Sequence, residues 1–312
     1  MTALPAPWRQ ALDRRGRLFD LSESDLCARM LHDEDPSLRC DRYGPVCWFS
    51  WYGGASPGPE DFERLAAFTA AAGAVHWHLR HMPDRGRDPG LRRTRSSPGA
   101  PETWTAAEGG LRFELRGGGG QSAGLYLDQR RNRGWVRDRA RGGRVLNLFA
   151  YTGGFGIAAL AGGAAEVVQN DVSRANLDWA RANAALNGVG PAAVEYAAVD
   201  ARLLVEGCRR RGRRFDAVIC DPPAFARSRG RDAGHWSIER DLPAVVRECV
   251  GLLSPEGWML VSSGCESWKE GAFEGAVRRG LAAGGRMEPA PGPGEDCGGA
   301  RGSLRSVVVR PG

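Results

Sequence analysis

Lysine is almost missing from this 312-residue chain. Of 43 basic side chains only Lys269 is a lysine, and the rest are arginines. A P-loop requires a lysine behind its glycines, and no such pairing occurs, so triphosphate binding through that motif is excluded. Long apolar runs are missing too. No stretch of about 18 apolar residues occurs, which excludes a membrane-spanning helix. The opening residues, MTALPAPWRQALDRRGRLFD, lack the apolar segment of a secretory signal. Eight cysteines are present, at positions 27, 40, 47, 208, 220, 249, 265 and 297, but no two have C-x-x-C spacing. This argues against a zinc site and for reduced thiols in a cytoplasmic protein.

What is present is an ordinary globular composition, with 42% hydrophobic residues and a net charge of +6. At roughly 150 residues per domain, the length implies about two domains. The positive charge has two readings. One is a solvated surface. The other is a polyanionic partner, because the planar guanidinium meets phosphate oxygens two at a time.

The pattern along the chain divides it in three. Residues 1–38 are polar and form an N-terminal extension. Residues 39–128 read as a small α+β domain. In it, an aromatic strand around 41–54 precedes a helix opened by Pro59, Glu60 and Asp61 and closed by Gly73. The strand AVHWHLRHM follows. A linker over 83–103 leads to LRFELR and AGLYLD, two strands of a hairpin joined by GGGGQS. From 129 to 312 a basic helix, WVRDRARGG, precedes alternating strand-like and helix-like runs. Such alternation predicts an α/β fold with a mostly parallel, Rossmann-like sheet.

The first strand of that sheet, RVLNLFA, runs into the turn Phe149-Ala150-Tyr151-Thr152-Gly153-Gly154. Glycines let a backbone approach a ligand at a strand's carboxyl end. The turn is not G-x-G-x-x-G, which counts against a dinucleotide. The second strand, EVVQND, ends in Asp171, where a carboxylate accepts from ribose hydroxyls. The third, VEYAAVD, ends in Asp200, placed for an adenine amine. The fourth, FDAVICD, ends in Asp221. Taken singly these acids are ordinary helix caps. As an ordered set they fit S-adenosylmethionine, which has a ribose, an adenine and a sulfonium but no phosphate. Phe149, Tyr151, Thr152, Gly153, Gly154, Asp171, Asp200 and Asp221 are the expected cofactor contacts.

Asp221 opens Asp221-Pro222-Pro223-Ala224-Phe225. Paired prolines stiffen a loop and remove two donors. The aspartate and the loop carbonyls then accept from a base amine, while the ring of Phe225 offers a stacking face to a flipped base. Asp221, Pro222 and Phe225 are therefore the expected catalytic group.

The segments GLYLDQRRNR, RVLNLFAYTGGFGIAALAGGAAEVV and FDAVICDPPAFARSR, with DRYG at 41–44, resemble the 23S ribosomal RNA large-subunit methyltransferase I family. The likeness covers about residues 39–312. It implies a class I methyltransferase sheet, S-adenosylmethionine as cofactor and ribosomal RNA as partner. It also implies that Gln129 and Arg130 bind the cofactor's methionine end, where an arginine pairs with a carboxylate. Members of that family make 5-methylcytosine, and their relatives methylate guanine. There are two departures. The family usually begins with a PUA RNA-binding domain, which the 1–38 extension is too short to hold. Its 5-methylcytosine members carry Ser-Cys-Ser-Gly after the fifth strand, whereas this chain has Val261-Ser262-Ser263-Gly264-Cys265, with the cysteine one residue out of place. Carbon-5 of cytosine needs a thiolate added at carbon-6, so Cys265 is the candidate nucleophile for carbon chemistry. Without it, methyl transfer to a base nitrogen remains. Cys220 reads as core.

His76, His78 and His81 lack carboxylates at ligand spacing, so no metal is expected. Trp48, Trp51 and Trp77 are expected to pack on the 60–72 helix, with base stacking as the other reading. Arg131, Arg133, Arg137, Arg139 and Arg141 form either a phosphate track or a solvated helix face. The expected function is methylation of a ribosomal RNA base, at cytosine carbon-5 or a nitrogen. The alternatives are a methyltransferase of a small molecule and an RNA-binding protein without catalysis.

Overall fold

A computed structural model describes residues 3–82, 94–118, 120, 122–226, 236–265, 267–298 and 304–312. Parts of the expected linker (83–93), of the GGGGQS turn (119 and 121) and of FARSR (227, 228 and 229) lie outside the described residues. The chain divides into two compact units. One comprises residues 1–127 with 294–301, and the other residues 128–293 with 302–312.

The first unit is built on a five-stranded sheet, in spatial order Cys27–Leu31, Leu38–Tyr43, Val46–Trp51, His76–His81 and Thr94–Ser96. The helix Pro59–Ala71 joins the third and fourth strands, which pair in parallel. Its start follows local chemistry: Pro59 occupies the first turn, and the Asp61 carboxylate accepts from the Gly58 N–H at 2.9 Å. Its end needs Gly73, whose φ of 73° is left-handed. A Cβ there would also stand 2.2 Å from the carbonyl oxygen of Leu21.

The sequence-based boundary after residue 38 is corrected. Residue 38 opens a strand whose partner is Cys27–Leu31, and the helix Ala6–Leu18 buries Trp8, Ala11 and Leu12 in the same core. Burying those side chains is worth more than leaving an extension in water. The hairpin also differs. Its strands are Thr103–Glu108 and Leu111–Arg116, turned by Gly109 and Gly110 at φ 58° and 78°. AGLYLD buries Ala123, Leu125 and Leu127 but forms no strand. Its backbone bonds go elsewhere, and the Leu125 carbonyl accepts from the Tyr43 hydroxyl at 2.6 Å.

The DRYG segment is the knot of this unit. Asp41 accepts a forked pair from Arg29 at 2.7 and 3.1 Å. Arg42 is fully buried and donates to four backbone carbonyls, those of Leu21, Glu23, Gly44 and Ala72. Burial lowers its pKa from the ordinary arginine value. The Tyr43 carbonyl accepts from the Trp104 indole at 3.0 Å.

The second unit is a seven-stranded sheet. Its strands in chain order are β1 (Arg144–Leu148), β2 (Glu166–Asn170), β3 (Val194–Ala197), β4 (Phe215–Cys220), β5 (Leu253–Ser263), β6 (Arg286–Pro289) and β7 (Arg305–Arg310). They lie in the order β3-β2-β1-β4-β5-β7-β6. Strands β1 to β5 are parallel, and β7 runs antiparallel to both β5 and β6. Both faces are covered, so the strands read as apolar runs. Leu146, Leu148, Val218, Cys220, Met259 and Val261 face the helices Ala201–Arg210, Ile238–Val250 and Ala272–Gly280. The alternate residues Val145, Ala217, Ile219 and Leu260 face the helices Arg130–Arg139 and Gly154–Ala161.

Candidate active site

The parallel register brings the site together. Leu148 pairs with Asn170 and with Cys220, Asn170 with Ala197, and Cys220 with Val261. The next residues of four strands, Phe149, Asp171, Asp221 and Ser262, therefore meet at one carboxyl edge, where α/β sheets bind ligands.

The turn after β1 is held in an unfavourable shape. Phe149 and Tyr151 are left-handed, at φ 57° and 49°. Each costs on the order of 1 kcal/mol for a residue with a Cβ. Fixed bonds offset this: Ala150 N–H donates to Asn170 O at 2.7 Å, and Tyr151 N–H to Asp171 Oδ2 at 3.0 Å. Strain held in this way is typical of ligand sites. Beneath the turn runs a buried chain of amides. Asn147 Nδ2 donates to Gln169 Oε1 at 2.7 Å, and Gln169 Nε2 donates to the Gly153 carbonyl at 3.2 Å. Asn183 holds the Thr152 carbonyl at 3.0 Å. The glycine requirement here is internal as well. A Cβ on Gly156 would stand 2.2 Å from Gln169 Nε2, and one on Gly153 would stand 2.9 Å from the same atom.

Asp171 follows β2. Its carboxylate accepts from the Ser173 N–H at 2.8 Å and from Asn176 Nδ2 at 3.2 Å as well as from Tyr151. A carboxylate has about four lone-pair sites, so one stays open to a ligand hydroxyl. Burial raises the Asp171 pKa, and these donors oppose it. Val172, Val199 and Leu203 are 65%, 42% and 63% exposed beside the ends of β2 and β3. Exposed aliphatic side chains suit a flat apolar ring. The sequence reading missed all three.

Asp200 is placed differently from the expectation. β3 stops at Ala197, and Asp200 is the N-cap of the helix Ala201–Arg210. It accepts from the Arg202 N–H at 2.9 Å and from its guanidinium at 3.1 Å on each oxygen. Burial opposes its ionisation, but the Arg202 bonds outweigh this and hold its pKa below the usual value.

Asp221 follows β4 and is partly buried. Its Oδ1 accepts from the Ser262 hydroxyl at 2.7 Å. Burial pushes its pKa up to about 6, and the negative charge of Asp128 adds to this. Hydrogen bonds from Ser262 and Gln129 and the charge of Arg133 pull the other way. Pro222 is buried, and the Pro223 carbonyl is already occupied by the Trp236 indole at 2.7 Å. That bond uses one of the carbonyl's two lone pairs. Phe225 is 60% exposed. Trp236 also contacts Phe149, with ring centroids 5.4 Å apart.

Two expected site residues, Gln129 and Cys265, turn inward, and Cys220 is buried in the core as the sequence reading had it. Gln129 is buried, and its amide is used on both sides: Nε2 donates to Ser262 Oγ at 3.0 Å and Oε1 accepts from Asn132 at 2.7 Å. Cys265 is buried in the apolar cluster on the opposite side of the sheet from Ser262, with Sγ 3.2 Å from the Ser267 hydroxyl. Cys220 is fully buried, which pushes its thiol pKa well up. Arg130 is half-buried at the start of its helix. In the basic run Arg133 is buried, Arg139 lies over the Trp135 ring at 4.5 Å, and Arg131 and Arg141 are exposed.

In the first unit Trp77 stacks on Phe62 at 5.8 Å, so the tryptophan packs on the helix. His78 is buried against Trp104 and bonds Ser96 Oγ and Pro101 O at 2.7 and 3.0 Å. Among the described residues no group of three His, Cys, Asp or Glu side chains is placed to hold a metal, and no helix is long and apolar enough to cross a membrane.

Sheet order, strained turn and edge acids define a Rossmann-like methyltransferase unit. Residues 60–267 match the family of S-adenosylmethionine-dependent methyltransferases, and the chain belongs to it. It is 38% identical over 177 residues to ribosomal RNA large subunit methyltransferase I of Photobacterium profundum, covering 57% of this chain and 44% of that protein. It is 32% identical over 215 residues to ribosomal RNA large subunit methyltransferase K of Neisseria meningitidis serogroup B, covering 67% and 60%. The chain thus spans less than two thirds of these relatives. A SAM-dependent methyltransferase from Streptococcus mutans has the same fold, with TM-score 0.82 at 20% identity over 99% of this chain and 82% of that one.

Proposed function

We propose that this chain transfers a methyl group from S-adenosylmethionine to a nitrogen of an RNA base, with ribosomal RNA as the substrate. The observation that carries this reading is Asp221. It is a partly buried carboxylate at the sheet edge, followed by two prolines and an exposed aromatic ring. A base entering against Phe225 would present its amine to Asp221, and proximity would do most of the remaining work.

The residues fit the cofactor. Asp171 offers an acceptor to the ribose, and Val172, Val199 and Leu203 offer walls to the adenine. Arg130 would pair with the carboxylate, and the turn from Phe149 to Gly154 would hold the sulfonium end. S-adenosylmethionine supplies the methyl group. The chain's own part is to exclude water, hold the amine in line and accept its hydrogen bond. Asp200 belongs to this site through the helix it caps, one turn from Leu203.

The buried position of Cys265 favours nitrogen over carbon-5, since a thiol packed among apolar side chains is poorly placed to add to a base. The names of the two relatives support ribosomal RNA, and exposed Arg131 and Arg141 suit a phosphate backbone. The test is incubation with methyl-tritiated S-adenosylmethionine and unmodified ribosomal RNA, followed by nucleoside mass spectrometry. A methylated base nitrogen is expected. Label in 5-methylcytosine overturns the nitrogen assignment. Label in small molecules of a metabolite extract, with none in RNA, overturns the substrate.

A further inference from the structure

Four residues behind Asp221 form a chain whose direction is set by one backbone group. The Gly292 N–H can only donate, and it meets Asn132 Oδ1 at 3.2 Å. Asn132 must then present its NH₂ to Gln129 Oε1, at 2.7 Å. Gln129 in turn presents its NH₂ to Ser262 Oγ, at 3.0 Å. With that oxygen accepting, the Ser262 hydroxyl hydrogen goes to Asp221 Oδ1, at 2.7 Å. Asn132, Gln129 and Ser262 are all buried, at 0%, 3% and 0% exposure. Buried amides in a connected row polarise one another, and here every donor points toward the carboxylate.

We propose that Ser262, Gln129 and Asn132 are positioning residues, a one-way chain of hydrogen bonds that holds Asp221 Oδ1 and leaves the carboxylate's remaining lone pairs to the substrate amine. The assignment rests on the methyltransferase reading only for the identity of that amine. The chain itself is a property of the fold. Ser262 belongs here because strand alternation turns it to the Gln129 side of the sheet, while Ser263 faces the other way and accepts from the Trp268 indole at 2.9 Å. Gln129 consequently acts through Asp221, and not by touching the cofactor. The other charged groups that bear on the carboxylate are Asp128, which disfavours its ionisation, and Arg133, which favours it.

The test is carbon-13 NMR of the full chain labelled at the aspartate carboxyl, with the Asp221 signal assigned by its loss in Asp221→Asn. In Ser262→Ala the Asp221 midpoint should rise by about one to two pH units, because a hydrogen bond to the charged form is lost. Asn132→Ala, three hydrogen bonds away from Asp221, should raise it by a smaller amount. A merely structural role for Asn132 would leave it unmoved. Ser262→Cys keeps the side chain's shape and should give an intermediate rise, which preserves the test if the alanine variant does not fold. Midpoints equal to wild type in Asn132→Ala and in either Ser262 variant overturn the proposal. The acid limb of the methylation rate should follow the same shifts. If the wild-type chain methylates nothing, the functional reading falls, while the NMR midpoints still decide the chain of bonds.

Discussion

The Asp171 carboxylate accepts the backbone N–H of Tyr151 at 3.0 Å, and so ties the residue after β2 to a left-handed residue in the turn after β1. One side chain thereby shapes the turn and offers an acceptor to a ligand.

Asp171→Ala should therefore do more than delete a ligand contact. Losing a buried acceptor costs on the order of 1–3 kcal/mol, which is about a tenfold to hundredfold loss of S-adenosylmethionine affinity by calorimetry. Asp171→Asn keeps an acceptor and should lose less. Unchanged affinity in the alanine variant removes Asp171 from the cofactor site.

Asp221 predicts a pH-dependent stability. Its folded pKa of about 6 lies above the ordinary 3.8. Between these values the native state holds a proton that the unfolded state has released, so stability falls as pH rises from about 4 to about 6 and is level beyond. Asp221→Asn removes the penalty. In urea unfolding it should match wild type at pH 4 and exceed it by about 1–3 kcal/mol at pH 7.5. Its methylation rate should fall steeply. Equal stability at both pH values would show that the carboxylate carries no such penalty.

Carbon and nitrogen chemistry separate at Cys265. With the thiol buried beside Ser267, Cys265→Ala should keep the methylation rate within about a factor of three, since it touches no reacting atom. RNA containing 5-fluorocytosine should not trap the protein covalently. An inactive Cys265→Ala that still binds cofactor reverses the assignment to carbon-5.

Arg42 should be the most sensitive position of the first unit. Its guanidinium satisfies four carbonyls in a dry interior. Arg42→Leu strands them, at about 1–3 kcal/mol for each that finds no water. Circular dichroism should show loss of that unit's cooperative melt, while Asp25→Asn nearby leaves it intact.

Much of this was legible in the sequence because it is periodic or local. β1, β2 and β4 read directly from RVLNLFA, EVVQND and FDAVICD, and the turn residues and edge acids follow from where those strands stop. The helix at 59–71 was legible from Pro59, Glu60, Asp61 and Gly73, since capping chemistry acts within four residues. Asn147, Gln169 and Asn170 left a signal too, as polar residues inside apolar strands, but their partners lie on other strands.

The amino-acid sequence by itself determined the parallel α/β sheet, the acids at its edge and the stiff Asp221 loop, because hydrophobic period, turn chemistry and proline geometry operate between near neighbours. Only the tertiary structure decided what those groups do. It turned Gln129 inward to Ser262, made Asp200 a helix cap paired with Arg202, sank Cys265 into the core and drew Cys27–Leu31 into a sheet. Each outcome depends on which side chain stands across a strand or behind a turn. Two such residues, Asn132 and Gly292, sit 160 positions apart, and no local pattern can relate them.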